Sequence, residues 1–297
     1  MRHWPSTRAD LSISYINLLA SLNGQILSQH GRPEVARPWL AKLTQGEALF
    51  AIALTEPRGG SDAGNLRLCF ERIGNKYVVN GEKTSISAAD QADAAIVYGR
   101  TGSVESAAHG VTALLVPMNL PGITTNRFDC RGQRAIGRGS IFFENVRVPA
   151  SHRLGDENQG FAQVMQGFDF SRALIGLQVL AVARVALEEA WDYVAQREAF
   201  GKPLSAFQEV SHPLAELDTQ AEAARLLCLQ TLWLKDHGAP HSTPTNMPER
   251  VAERRDAHDA VGQDSETQAA RNGSGQPVLN VRYRPHVGEW VSATPTI

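Results

Sequence analysis

From Gly160 onward the apolar residues keep a helical spacing and hold it far longer than an ordinary surface helix would. Phe161, Val164, Met165, Phe168, Leu174, Ile175, Leu177, Leu180, Val185, Leu187, Trp191 and Val194 cover much of the circumference of one predicted helix. A helix this apolar must be covered on several sides, in a bundle or at a subunit interface. Phe200-Gly201-Lys202-Pro203 breaks it. A second long helix is predicted from about Ser205 to His237, with Pro213 bending it or marking its effective start.

Upstream, the period changes twice. Leu11, Tyr15, Leu18, Leu19, Leu22 and Ile26 predict an amphipathic helix from Leu11 to about Ser28, started by Ser6 or Asp10 and stopped by Gly31-Arg32-Pro33. A second, shorter helix is predicted over 34–43, closed at Gln45-Gly46. Short strands follow at 48–54, 66–72 and 76–81, the last running into a hairpin turn at Asn80-Gly81. The series continues at 92–98, 111–117, 122–128 and 140–148. Such strands, punctuated by Gly, Pro and Asn, indicate an antiparallel barrel or sandwich of roughly a hundred residues. No long helix interrupts them and no GxGxxG occurs, which argues against a Rossmann unit.

The expected architecture is therefore a multidomain α+β chain. Residues 1–50 are helical, 51–157 form the β-domain, and 158–238 form part of a helical bundle. Residues 239–297 are rich in Pro, Arg, Asp, Gln and Ser with sparse, aperiodic apolar residues, and are expected to be disordered.

Charge and cysteine usage narrow the function classes. A net charge of −2 over 297 residues gives no electrostatic case for nucleic-acid or anionic-membrane partners. No continuous apolar run looks long enough to span a bilayer. Cys69, Cys130 and Cys228 are widely separated, without metal spacing, so reduced thiols in a cytoplasmic protein are expected and no metal site is predicted.

The stretch from Ala53 to Asp62 carries the chemistry. It leaves an apolar strand, breaks at Pro57 and turns through Arg58-Gly59-Gly60 into Ser61-Asp62. Gly59 and Gly60 can take φ > 0 and expose backbone N–H groups, and Thr55 and Ser61 add hydroxyls on either side. Successive N–H donors of this kind suit a phosphate or the edge of a heterocycle. A plain Pro-Gly turn is the competing reading.

Six motifs in order now bear on that choice. They are Leu54-Thr-Glu-Pro57 with Gly60-Ser-Asp62, Tyr77-Val-Val-Asn-Gly-Glu-Lys83, Phe142-Phe-Glu-Asn-Val-Arg-Val-Pro149, Gly160-Phe161, Phe168-Asp-Phe-Ser-Arg172, and Arg197-Glu-Ala-Phe-Gly-Lys202 with Gln208. From Leu11 to His237 the chain resembles the acyl-CoA dehydrogenase family. The resemblance implies FAD as cofactor, with Leu54 and Thr55 against the isoalloxazine and Gly60 and Ser61 near the pyrophosphate. Ser85 and Ser87 would stand where the family often carries a Trp-Ile-Thr triplet. Arg197, Phe200 and Gln208 would reach the FAD of a neighbouring subunit; their alternative is an ordinary corner between helices. Arg172 would approach the CoA moiety, with Asp169 and Ser61 also at the substrate. An Asp169–Arg172 surface ion pair at i, i+3 is the plainer alternative.

The same resemblance implies α,β-dehydrogenation of an acyl-CoA thioester. A carboxylate removes the α-proton, and the β-hydride goes to flavin N5. Electron-transfer flavoprotein would be the acceptor and a homotetramer the assembly. The motif variants look most like members acting on alicyclic esters such as cyclohexanecarboxyl-CoA, in fatty or alicyclic acid catabolism. No catalytic base is identifiable. The usual region for it corresponds to the unrelated tail, and the alternative position, just before Arg172, is Ser171. The chain thus looks shortened at both ends, with a tail that resembles a shifted reading frame. A non-catalytic flavin- or acyl-CoA-binding remnant that assembles with intact subunits is the alternative function, and a misfolded fragment a third.

Overall fold

The computed structural model describes residues 10–240. Ser6 as a cap, and everything expected of residues 241–297, lie outside them. Helix α1, Leu11–His30, starts at Asp10, whose carboxylate accepts from the Ser12 and Ile13 amides and so satisfies two otherwise unpaired N-terminal donors. Helix α2, Pro33–Gln45, begins on a proline and ends at Gly46 in the left-handed conformation.

Eight strands follow: β1 Phe50–Ala53, β2 Cys69–Ile73, β3 Lys76–Ser87, β4 Ala94–Arg100, β5 Val111–Pro117, β6 Ile123–Arg127, β7 Arg138–Pro149 and β8 Arg153–Leu154. They form one sheet in the order β6-β7-β3-β2-β4-β5-β8, with β1 also on β4. Most pairs are antiparallel, as expected. However, β1 runs parallel to β4, and β2 meets β4 in parallel at Cys69–Arg100. Strand periodicity specifies which face is buried and carries no information on partner direction.

Asn80-Gly81 is not a hairpin turn. Strand β3 continues through it to Ser87, pairing with β7 along its length, and the register shifts between Val79 and Gly81. Gly81 sits at φ 136°, where a Cβ would stand 3.1 Å from the Leu68 backbone. The glycine permits the close strand approach, while the extra residue of the bulge lies on β7, where Glu144 and Asn145 oppose Asn80. The β2–β3 turn lies instead at Gly74, whose φ is 60°.

Every residue of β4 is buried, because the strand is covered on both faces. Ala94, Ile96 and Tyr98 pack with Leu22, Ile26 and Val164 of the helices. Ala95 and Val97 point the other way, into a cluster with Phe70, Tyr77, Val79, Ile141 and Val148, around which the sheet curls.

Helix α3, Gly160–Gln196, lies against α1 and against α4, Gln208–Asp236. The Gln178 side-chain amide donates to Ser14 O across the α1–α3 contact, and Trp191 Nε1 donates to Asp218 across α3–α4. At Gly176 the two long helices come so close that a Cβ would lie 2.7 Å from Cys228 Sγ. By length and composition alone α3 could cross a membrane, contrary to the expectation above. Its contacts are those of a bundle helix. Ile175, Val179, Leu226 and Trp233 remain exposed on α3 and α4.

Candidate functional site

The loop from Leu54 to Leu68 is held from beneath by one buried ion pair. Lys83 Nζ lies 2.8 Å from Glu56 Oε1 and 2.9 Å from Leu54 O, and the lysine has no solvent exposure. Glu56 also accepts from the Arg67 amide at 2.7 Å and the Leu68 amide at 3.0 Å. Each formal charge is thus paired and further hydrogen-bonded, the condition under which buried ions persist. Burial pulls the Lys83 pKa down to about 8, with Glu56 working against that shift.

The next residues are tied to β3 as well. The Thr84 amide donates to Thr55 O at 2.9 Å, while Glu56 and Gly59 exchange backbone hydrogen bonds across the turn. Downstream, the buried Arg100 guanidinium donates to Leu66 O, Gly64 O, Ser103 O and Ala107 O, which fixes the far arm of the loop against 103–107. With Leu54 O and Thr55 O committed inward, the Thr55 N–H and hydroxyl, the Gly60 and Ser61 N–H groups and the Ser61 hydroxyl have no hydrogen-bond partner among the described residues. Gly59 and Gly60 keep φ below zero, so neither uses the left-handed freedom expected of it. A Cβ on Gly60 would meet nothing within 4 Å. No packing within the chain asks for glycine there, whereas a ligand approaching the backbone closely would.

Ser85 borders this loop at a bulge in β3, between Lys83 and Ile86, with φ 59°. A non-glycine residue held there stores backbone strain, and such bulges re-aim side chains beside functional sites. Ser87 Oγ meets Tyr15 Oη of α1 at 3.3 Å, and Ser140 Oγ lies 3.0 Å from Thr84 Oγ1. Leu54, Thr55, Ser85 and Ser87 are therefore brought to one region between the loop, the end of β3 and α1.

Arg197, Phe200 and Gln208 gather elsewhere, at the corner between α3 and α4. None of the hydrogen bonds, ion pairs or ring contacts of that corner reaches the 54–62 loop. Phe200 is 94% exposed at φ 52°, with Phe207 edge-on at 6.2 Å. The described residues of the chain leave this aromatic almost wholly uncovered. On α3, Asp169 and Arg172 form an ion pair at 3.2 Å. Ser171 is buried and donates to Phe168 O of its own helix. It is neither a base nor accessible to a substrate.

Sequence reasoning missed the role of Lys83 and Glu56. The signal was present: Tyr77, Val79 and Lys83 share one strand parity, so a lysine falls on the buried face of an alternating strand. Tyr15, read only as a core residue of α1, was missed too. A helix pattern does not reveal which strand end its hydroxyl meets.

Structures solved in complex with FAD share this fold. A model of the acyl-CoA dehydrogenase middle domain matches residues 51–146, and one of the C-terminal domain matches residues 158–263, beyond the last of the motifs. Probable acyl-CoA dehydrogenase YngJ of Bacillus subtilis is 37% identical over 221 residues, 74% of this chain and 58% of that protein. Butyryl-CoA dehydrogenase from Megasphaera elsdenii superposes with a TM-score of 0.81 at 31% identity, over 88% of this chain and 69% of that one. A structure described as an FAD-dependent dehydrogenase gives 0.78 at 26% identity, over 82% and 65% of the two chains.

The chain belongs to the acyl-CoA dehydrogenase family. Family membership and the FAD-dependent structural neighbours imply FAD as its cofactor, and the unpartnered donors of the loop fit that group. The chain spans little more than half the length of YngJ.

Proposed function

We propose that this chain binds FAD along the 54–62 loop and catalyses α,β-dehydrogenation of an acyl-CoA thioester. The observation that carries the reading is the loop itself: its inward polar groups are tied to Lys83, Thr84 and Arg100, and a row of outward donors is left for a ligand. Leu54 and Thr55 would hold the isoalloxazine, with Ser85 and Ser87 at its far edge, and Gly60 and Ser61 would hold the pyrophosphate. Bound FAD supplies the acceptor for the β-hydride. Arg172 would meet the CoA moiety, beside Asp169 and Ser61. Arg197, Phe200 and Gln208 would meet the FAD of a second copy in a homotetramer, a reading supported by the exposure of Phe200. Electron-transfer flavoprotein is the proposed acceptor, alicyclic and straight-chain acyl-CoA esters the proposed substrates, and the cytoplasm the proposed location.

One observation favours a second reading, in which the chain binds flavin or acyl-CoA without turnover and assembles with intact subunits. Ser171 is buried and bonded to its own helix, and Asp169 is engaged with Arg172. Neither is placed to take the α-proton.

Anaerobic bleaching of purified, FAD-loaded protein separates the two. Bleaching at 450 nm by cyclohexanecarboxyl-CoA or by a straight-chain acyl-CoA supports the enzyme. Retained but unbleached FAD with all of them leaves the binding reading; failure to retain FAD overturns the enzyme, and failure to hold either FAD or acyl-CoA overturns both.

A further inference from the structure

We infer that the buried Lys83–Glu56 pair is a positioning device, which orients the Leu54–Ser61 backbone so that the outward donors of the loop meet the cofactor. The inference rests on the FAD reading of this loop.

The geometry separates this role from ordinary core stability. A buried salt bridge that served stability alone could be replaced by apolar residues with little loss. Here the lysine does more than neutralise Glu56. Its ammonium also donates to Leu54 O at 2.9 Å, in the segment expected to line the ring system. Glu56 accepts from the Arg67 and Leu68 amides on the opposite arm. One ion pair therefore closes the loop at both ends, joining residues 54 and 56 to residues 67 and 68 through β3. Lys83 stands two residues before the strained Ser85, and the amide between them, that of Thr84, donates to Thr55 O.

Rotating the Leu54–Thr55 peptide would turn Leu54 O away from the ammonium and the Thr55 N–H inward. The ion pair opposes that rotation, because the buried ammonium would lose an acceptor it cannot replace with water. The outward set of the Thr55 N–H is thus a consequence of a charge on the far side of the backbone. Neither Lys83 nor Glu56 touches the proposed cofactor, so both act through Leu54 and Thr55. Preorganised donors of this kind hold a ligand without reorganisation when it arrives.

The test compares wild type with Lys83→Met, Glu56→Gln and the double variant Lys83→Met/Glu56→Gln. Three quantities are read: thermal midpoint, FAD affinity with the visible spectrum of the bound flavin, and amide hydrogen exchange of 55–61 in the apoprotein. Lys83→Met strands a buried carboxylate and will lower the midpoint. The double variant removes that charge and recovers much of it, yet still lacks the Leu54 anchor.

If the pair positions the loop, the double variant binds FAD roughly 10- to 100-fold more weakly than wild type, with a shifted spectrum and faster exchange at 55–61. If FAD affinity, spectrum and exchange return with the midpoint, the pair is structural only and the inference is overturned. If Lys83→Met alone fails to fold, the double variant, which strands no charge and lacks the Leu54 anchor, decides the question. A wild-type chain that holds no FAD overturns the function proposed above. The exchange of 55–61 in the variants then decides the positioning role by itself.

Discussion

The lysine beneath the loop makes stability rise with pH in the alkaline range, well above the range in which carboxylates titrate. In the unfolded chain the Lys83 amine keeps its proton to about pH 10.5, whereas in the fold burial brings its pKa to about 8. Between those values the unfolded state binds more protons, so this group makes stability rise with pH; below pH 8 its full penalty is present. At about 1.36 kcal/mol per pH unit, the contribution between pH 7 and 10 amounts to about 2–3 kcal/mol. Other groups act in the opposite direction. Burial raises Tyr77 and Tyr98 and pushes Cys228 up to about 11, so the unfolded chain loses those protons first as pH rises, in wild type and variant alike. The assay therefore takes a difference. Urea unfolding of wild type and Lys83→Met is followed at intervals from pH 7 to 10, and one free energy is subtracted from the other at each pH. Tyr77, Tyr98 and Cys228 cancel, and the wild-type advantage should grow by about 2–3 kcal/mol across the range. A constant difference, or one that shrinks with pH, would refute the placement of a charged lysine in that dry site.

Two further substitutions test the packing. Tyr98 is fully buried and its hydroxyl has no hydrogen-bond partner among the described residues, so Tyr98→Phe should leave stability unchanged or raise it by up to about 1 kcal/mol in urea unfolding. Gly176→Val should lower stability by about 1–3 kcal/mol, since a Cβ there meets Cys228 Sγ at 2.7 Å. The paired change with Cys228→Ala should recover part of that loss, and full additivity of the two would show that the helices do not meet there.

Much of this architecture was legible in the sequence because burial writes a period. The helical spacing of Leu18, Leu22 and Ile26, and the Asp10 cap, predicted α1 closely. The short runs at 111–117 and 140–148, punctuated by Gly, Pro and Asn, predicted β5 and β7 to within a residue or two. What stayed hidden was whatever depends on partners distant in sequence. Asn80-Gly81 has hairpin chemistry, yet both residues stay within β3, opposite a bulge in β7. β1 looks like any short apolar strand, and only its neighbour makes it parallel. The site divides the same way. Thr55, Gly60 and Ser61 stood out as donors in a turn. The pair beneath them joins residues 27 apart; strand parity places Lys83 on a buried face, but nothing local to either residue names Glu56 as its partner.

The pairing of β3 with β7 has a kinetic consequence. Its side-chain link from Asn80 to the Asn145 amide closes a span of 65 residues, whereas α3 and α4 meet across a single short corner. Loop closure over the longer span is the slower event, so the helical hairpin should form early and the curled sheet late. Lys83 reaches its place only as β3 settles into the sheet. The loop that offers its donors to a cofactor is therefore among the last parts of the chain to take shape, and a ligand present during folding would favour the state in which it is complete.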